Sequence, residues 1–407
     1  MSTNLYNRSF AALSAKQRRS LTELIEYACQ SLELTESKRK LAEERYMAVG
    51  KWLAESDDEI FVDVVVYPQG SQRIGTTTKP IDREEFDLDF ICYLPNAEGI
   101  HPDTCRSKVM KRIEDNGHYR PLLSELNRGC RLNYADDFHM DITPGIPDQN
   151  NANEEDAISV PDKKITVWKA SNPIGYAKDF EDIAAVAPTY MDSEDMRFTE
   201  AAMSAGNVEK LPTHTVFKGI LRRAVQIMKR HRDLLFLDNS EYEGKSPISI
   251  VITTLASRAY RDAVTGRNFN NELEVLITVV ESMTDYIETK VVNGKIEMWV
   301  TNPKNEHENF AEKWNTDSKK VEAFRYWHGN FIEKLQELAS VQSMALVRKK
   351  LEQLIGEGPS EAAIDKRFEY LNEAREKNKL FIAKTGAIST AATSTAVKSN
   401  TFFGKLP

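Results

Sequence analysis

Two aspartates one residue apart, Asp87 and Asp89, stand in the run Phe86-Asp87-Leu88-Asp89-Phe90. In an extended strand, residues i and i+2 share a face. Both carboxylates then point one way, while Phe86, Leu88 and Phe90 point into a core. Adjacent carboxylates repel and cost desolvation unless a cation lies between them. Two solvent-facing acids on an edge strand are the plain alternative, but the run continues into Ile91 and Cys92 and reads as buried. It contains no Lys or Arg, so a metal is the favoured partner. A third acid sits in Phe138-His139-Met140-Asp141-Ile142-Thr143, where Asp141 shares a face with His139 and Thr143. One acid on a neighbouring strand beside a strand with two is the pattern for a two-metal site. Two Mg²⁺ ions, with Mn²⁺ as a substitute, would bridge a nucleotide and activate an attacking hydroxyl. Asp136 and Asp137 compete for the third place but look like turn residues without apolar brackets. His139 reads as structural, because Mg²⁺ prefers oxygen ligands.

Upstream lies Gly70-Ser71-Gln72-Arg73-Ile74-Gly75-Thr76. It reads either as a plain β-turn or as a phosphate cradle. Glycine lets backbone approach an anion, and N–H groups with a serine hydroxyl donate to phosphate oxygens. Further on, Lys218, Arg222, Gln226 and Lys229 fall on one side of a helical stretch. They make either a solvated basic face or a phosphate clamp. Trp168, Trp314, Phe324 and Trp327 suit a core better than a base-stacking platform.

These residues need elements to hold them. Helical spacing runs from about Leu13 to Glu55, as one helix or two joined. Phe61 to Tyr67 is β-branched and aromatic, a strand entering the Pro68–Gly70 turn. Phe86–Leu94, Arg131–Tyr134 and Phe138–Thr143 read as strands, the last ended by Pro144-Gly145-Ile146-Pro147, and Thr104–Asp115 as a helix. From about Pro212 the texture turns helical: 213–235, 247–261, 271–290, 323–354 and 360–377, with a hairpin around Asn293-Gly294. The last residues are rich in Ala, Ser and Thr, without a period, and read as a mobile tail. The expected class is α+β. A catalytic domain with an N-terminal spine helix would span 1–210, an all-helical domain 211–382 and a flexible tail 383–407. A catalytic cleft between the two halves is a natural expectation.

Bulk properties narrow the classes. The formal net charge of the 407 residues is −8 and the pI is near 5.6, which argues against coating long nucleic acid. The cysteines (Cys29, Cys92, Cys105, Cys130) form no CxxC pair, so reduced thiols are expected and zinc is not. No signal pattern opens the chain and no apolar run approaches the ~20 residues of a membrane span. A cytoplasmic protein that does not engage membranes is expected.

The order of these motifs resembles the nucleotidyltransferase core shared with DNA polymerase β. Within that superfamily, three stretches are similar to the bacterial cGAS/DncV-like nucleotidyltransferases. One is Gly70–Thr76 followed by Glu85–Asp89; the next is Ile165–Pro173; the last is His231-Arg232-Asp233 with Ser246–Ser249 and the helix to Tyr260. The resemblance covers about residues 10–380. It implies a polymerase-β-like core closed by a helical domain, in a bilobal arrangement. It implies that Asp87, Asp89 and Asp141 hold two Mg²⁺ ions, and that Asp141 helps deprotonate a ribose hydroxyl. Gly70, Ser71 and Gln72 would hold a triphosphate, with Lys229 and Ser249 across the cleft. The implied activity joins ribonucleoside triphosphates, ATP among them, into a cyclic di- or trinucleotide signal of anti-phage defence. A nucleotidyltransferase acting on a protein, tRNA or small molecule is the alternative, and a non-catalytic nucleotide sensor is a third. The chain lacks the Cys/His zinc insertion of animal cyclic GMP–AMP synthase, so activation by double-stranded DNA is not implied. Control by a HORMA-domain or ubiquitin-like-conjugation partner would fit the family. The tail ending in Phe402-Phe403 would be its docking peptide, or an unimportant end.

Overall fold

The structure is a computed structural model describing residues 15–81, 86–134, 138–148, 156–164, 166–191, 219–341 and 343–376, with three short strands beyond. Two compact units emerge from backbone packing: residues 32–337, and residues 1–31 with 338–407. The boundary expected near residue 210 falls in 192–218, outside the described residues.

The larger unit is built on one mixed sheet. Its strands are β1 (Val65–Gln69), β2 (Phe86–Tyr93), β3 (Leu123–Glu125), β4 (Cys130–Tyr134), β5 (Phe138–Pro147), β6 (Ile158–Asp162) and β7 (Val167–Ser171). The order is β1-β2-β5-β4-β3, and β6 with β7 continues from the end of β5. β2 and β5 run parallel at the centre, with β1 antiparallel to β2 and β4 antiparallel to β5. Alternation sets the faces. Phe86, Leu88 and Phe90 of β2 and Phe138, Met140 and Ile142 of β5 are buried in one core. That core is closed by helices α2 (Glu36–Ala54) and α3 (Pro102–Glu114), through Val49, Leu53, Cys105, Val109 and Ile113. The opposite face of the two central strands carries the acids.

Three strand boundaries depart from expectation, each for a local reason. The first strand begins at Val65 because Glu59–Phe61 forms a 3₁₀ turn capped by Asp58. Asp63 then takes a left-handed φ of 58°, which no strand residue adopts. Pro68 lies within β1 because β1 is an edge with β2 as its neighbour. The strand expected to stop at Pro144 runs to Pro147. It leaves β2 near Gly145 and continues beside β6, pairing Ile146 with Ser159. The long N-terminal helix is two, α1 (Ala15–Ser31) and α2, separated where Thr35 caps α2 by accepting from Lys38 N.

The rest of the larger unit is mostly helical: α4 (Pro173–Ala185), α5 (Ile220–Phe236), α6 (Ser249–Gly266), α7 (Glu272–Ser282) and most of α8 (Ser318–Ser340). It is not all-helical. One hairpin pairs Glu288–Val292 with Lys295–Trp299 about Asn293 and Gly294, both at positive φ, as that dipeptide predicts. A second pairs Thr301–Asn302 with Asn305–Asn309. Trp314, Phe324 and Trp327 pack on one another in the core, and Trp168 donates to the Ile100 carbonyl at 3.2 Å. All four cysteines are buried thiols.

In the smaller unit α10 (Glu357–Glu376) packs on both α1 and α9 (Met344–Ile355). Leu21, Leu24 and Ala28 are buried with Leu351, Leu354 and Ala363. Arg367 grips Ser20, donating to its carbonyl at 2.9 Å and its hydroxyl at 2.6 Å. In the tail, Phe381–Ile382 pairs with Ile388–Ser389 and with Thr395–Ala396. The suggested docking end, 399–407, lies outside the described residues. Among the described residues no helix is long and apolar enough to cross a membrane.

Candidate active site

The acidic face is set by register. Asp89 of β2 stands directly beside Asp141 of β5, and Asp87 beside His139. Asp87 is the outermost, its side chain 63% exposed against 16% for Asp141. Asp89 is half-buried. Burial first, then the charges of Asp141 and Asp87, push its carboxyl up to about 7, while Lys229 and Arg131 pull the other way. Asp136 and Asp137 lie outside the described residues.

The Gly-Ser turn closes over the same acids. Gln69, the last residue of β1, pairs with Asp89, so the chain leaves the sheet at that carboxylate. Gly70 through Arg73 then form one helical turn. Gly70 has φ 63°, and a Cβ there would meet Asp89 Oδ2 at 2.7 Å. Glycine is needed twice over, for the backbone conformation and for the close approach. Gln72 is buried, and its Oε1, like the Thr76 hydroxyl, is buried without a hydrogen-bond partner among the described residues.

The helix opposite, α5, differs from both readings of its polar residues. It is not a solvated face: Gln226, Lys229, Arg223 and Arg230 are all buried. Its donors already have partners, on the backbone following the turn. Arg222 Nε donates to the Ile74 carbonyl (2.9 Å), Lys229 Nζ to Thr76 (2.8 Å), Gln226 Nε2 to Thr77 (2.9 Å) and Arg230 Nη1 to Lys79 (3.2 Å). Gly75, at φ 72°, leaves the space that Arg222 crosses. Behind them Arg223 pairs with Glu33 and donates to Gln226 Oε1 at 3.0 Å. The helix thus shapes the loop that carries Gly70–Gln72. Lys218 lies outside the described residues.

Lys229 also belongs to the acids. Burial and then Arg232 push its ammonium down to about 7, while Asp233, Asp89 and Asp87 raise it. Ser249 is tied to Arg232, whose Nη1 donates to its hydroxyl at 2.8 Å. The structure therefore brings Gly70, Asp87, Asp89, Asp141 and Lys229 together, and reaches Ser249 by way of Arg232.

One residue of the site escaped the sequence reading. Arg131 of β4 is the cross-strand partner of Asp141. Its Nε donates to Asp141 Oδ1 at 2.6 Å and its Nη2 to Oδ2 at 2.8 Å, with Asp87 Oδ1 3.3 Å from Nη2. A basic residue thus serves the acids from the neighbouring strand. Among the described residues no three His, Cys, Asp or Glu side chains stand grouped as a ready cation cage. The donor set still fits a hard divalent cation: three carboxylates on one face, one of them held near neutrality by crowding and burial.

Comparison with known proteins bears on the family and the fold. Residues 20–183 match the Second Messenger Oligonucleotide or Dinucleotide Synthetase domain. The c-di-GMP synthase of Roseivirga ehrenbergii is 30% identical over 397 residues, covering 96% of this chain and 99% of that protein. The fold is similar to that of the Bradyrhizobium diazoefficiens CD-NTase CdnG, solved in complex with GTP. The TM-score is 0.63 at 21% identity, over 86% of this chain and 99% of that one. It is also similar to CdnC of E. coli MS115-1, solved in a HORMA-deltaN complex, with TM-score 0.56 at 12% identity over 84% and 98%. By that near-complete match to a relative, the chain belongs to the cGAS/DncV-like nucleotidyltransferases, the CD-NTases.

Proposed function

We propose that the chain is a cyclic dinucleotide synthase that joins two nucleoside triphosphates with loss of two pyrophosphates. The supporting observation is the in-register pair Asp89–Asp141, with Asp87 on the same face and the Gly70 turn against Asp89. The turn, from Gly70 through Ser71 to Gln72, holds the triphosphate of the nucleotide being consumed. Asp141 faces the ribose hydroxyl of the other nucleotide and takes part in its deprotonation. That oxygen attacks the α-phosphorus, the new P–O bond forms, and pyrophosphate leaves in line. Repeating the step within the linear product closes the ring. Held by Asp87, Asp89 and Asp141, two Mg²⁺ ions would neutralise charge at the α-phosphate and acidify the hydroxyl. Lys229 adds a cation beside the same phosphates.

Guanine nucleotides take the place of the ATP expected above. The relative that matches along nearly the whole chain is a c-di-GMP synthase, and the solved neighbour CdnG was found with GTP. The product would serve as a second messenger in anti-phage defence. A HORMA-type partner, as the neighbour CdnC has, would meet this chain at its tail; deleting 383–407 should then abolish its capture. The deciding experiment incubates the purified chain with Mg²⁺ and all four ribonucleoside triphosphates and identifies phosphatase-resistant products by mass spectrometry. Cyclic di-GMP is expected. A cyclic product containing adenine would reject the base assignment alone, and transfer to a protein or tRNA would reject the reading.

A further inference from the structure

Arg131 makes a demand that the proposed reaction does not explain. Its fork takes both oxygens of Asp141, at 2.6 and 2.8 Å, and its Nη2 lies 3.3 Å from Asp87 Oδ1. Those are two of the three carboxylates that the reaction turns toward cations. Strand pairing places Arg131 opposite Asp141, so the contact is built into the sheet. Planar forks of this kind are strong and directional. A divalent cation arriving at the same oxygens meets a resident positive charge within a few ångströms, where repulsion is substantial.

We propose that Arg131 is the resident counter-ion of the acidic face: it holds Asp87 and Asp141 in place before a divalent cation binds, and gives up part of that contact when one does. This rests on the cation-dependent reading above. Arg131 is a positioning residue that acts through the two aspartates. Its removal has two effects of opposite sign. The cation-free face becomes a cluster of unneutralised carboxylates and the fold loses stability. The same face becomes more negative and binds a cation more tightly. An arginine that merely braced the sheet would, when removed, loosen the fold and the cation site together.

The test uses the full chain, Mn²⁺ as the probe, and Arg131→Gln. Free Mn²⁺ is followed by electron paramagnetic resonance, and thermal unfolding is recorded in EDTA and in saturating Mn²⁺. The variant is expected to bind Mn²⁺ about tenfold tighter or more. It should melt lower than the native chain in EDTA, with most of that deficit recovered in Mn²⁺. Arg131→Lys keeps the charge without the fork, so its affinity should rise only a few-fold; it carries the test if the glutamine variant does not fold. Unchanged or weaker Mn²⁺ binding in a variant whose native parent binds Mn²⁺ and forms product overturns the role of Arg131 alone. A deficit in melting that Mn²⁺ does not recover does the same. A native chain that neither binds Mn²⁺ nor forms product overturns this inference and the function together.

Discussion

The acids of the sheet and the cations of α5 face the same turn, yet they are provisioned in opposite ways. On the sheet, Arg131 serves Asp87 and Asp141, while the Asp89 carboxyl feels the charges of Lys229 and Arg131. On the helix, Arg222, Gln226, Lys229 and Arg230 each donate to a backbone carbonyl between Ile74 and Lys79. A buried charge short of partners is expensive to keep, and such groups mark places where a ligand completes the arrangement. A buried donor with a carbonyl partner needs no ligand. The acid face therefore reads as chemistry, and the helix face, Lys229 apart, as scaffolding that fixes the Gly-Ser turn above it. Both surfaces are rich in charge, so only the partner atoms tell them apart.

The largest effect should come from the acids. Asp87→Asn with Asp89→Asn should reduce cyclic product by about a thousandfold or more, since charge neutralisation at phosphorus provides most of the acceleration. The same double variant should melt no lower than the native chain in EDTA, because it removes repulsion that burial has already made costly to Asp89. Product formation at more than a tenth of the native rate would remove the acids from the chemistry.

Next is the seam between the two regions. Gly70→Ala puts a Cβ 2.7 Å from Asp89 Oδ2 at a φ of 63°. Something must shift, and the strained backbone costs about 1 kcal/mol. Turnover should fall by about a hundredfold with a drop of a few degrees in melting temperature. An unchanged rate would mean that the turn does not set the position of Asp89.

The helix should answer in stability. Gln226→Leu strips the Thr77 carbonyl of its donor and Arg223 of an acceptor in a fully buried place. About 2 kcal/mol of stability should be lost. Lys229→Met loses the bond to Thr76 but also the penalty of a buried ammonium, so its net cost should be under about 1 kcal/mol, and its effect should fall on KM for the nucleotide. Denaturant unfolding orders the two. A Lys229→Met variant less stable than Gln226→Leu would reverse the assignment of scaffold and site.

The sequence was informative about the acids for a definite reason. Period-2 alternation fixes which way each carboxylate points, and the observed burial of Phe86, Leu88 and Phe90 follows it. The parallel register of β2 with β5 is another matter. It depends on a crossover of some forty residues, and no local pattern dictates that Asp89 meets Asp141. Arg131 was within reach. Residues 134 and 138 pair, so counting three places outward along each strand puts 131 opposite 141. The counter-charge stands on the strand next to Asp141, outside the run that carries Asp87 and Asp89. The carbonyl grips of α5 had no such signal. Lys229 and Thr76 are 153 positions apart, and a basic helix face looks the same whether it meets solvent, phosphate or backbone.

The smallest expected effect concerns pH, and it sets the two regions against each other directly. The Asp89 carboxyl is pushed up to about 7 by burial and by Asp141 and Asp87, against Lys229 and Arg131. From about pH 4, where the unfolded carboxyl titrates, to pH 7, the folded state holds the extra proton. This part of the stability is therefore lost as pH rises through that window. The Lys229 ammonium is pushed down to about 7 by burial and Arg232, against Asp233, Asp89 and Asp87. From pH 7 to about 10.5 the unfolded state holds the extra proton, and stability contributed by this group grows with pH. In EDTA the two opposite slopes should leave a dip in stability near pH 7. Asp89→Asn should flatten chiefly the acid side and Lys229→Met chiefly the alkaline side, as read from melting temperature against pH. A saturating divalent cation should fill the acid side, since it stabilises the carboxylate that the cation-free fold protonates. If neither variant alters its own side, the burial of Asp89 and Lys229 does not set the pH dependence of stability.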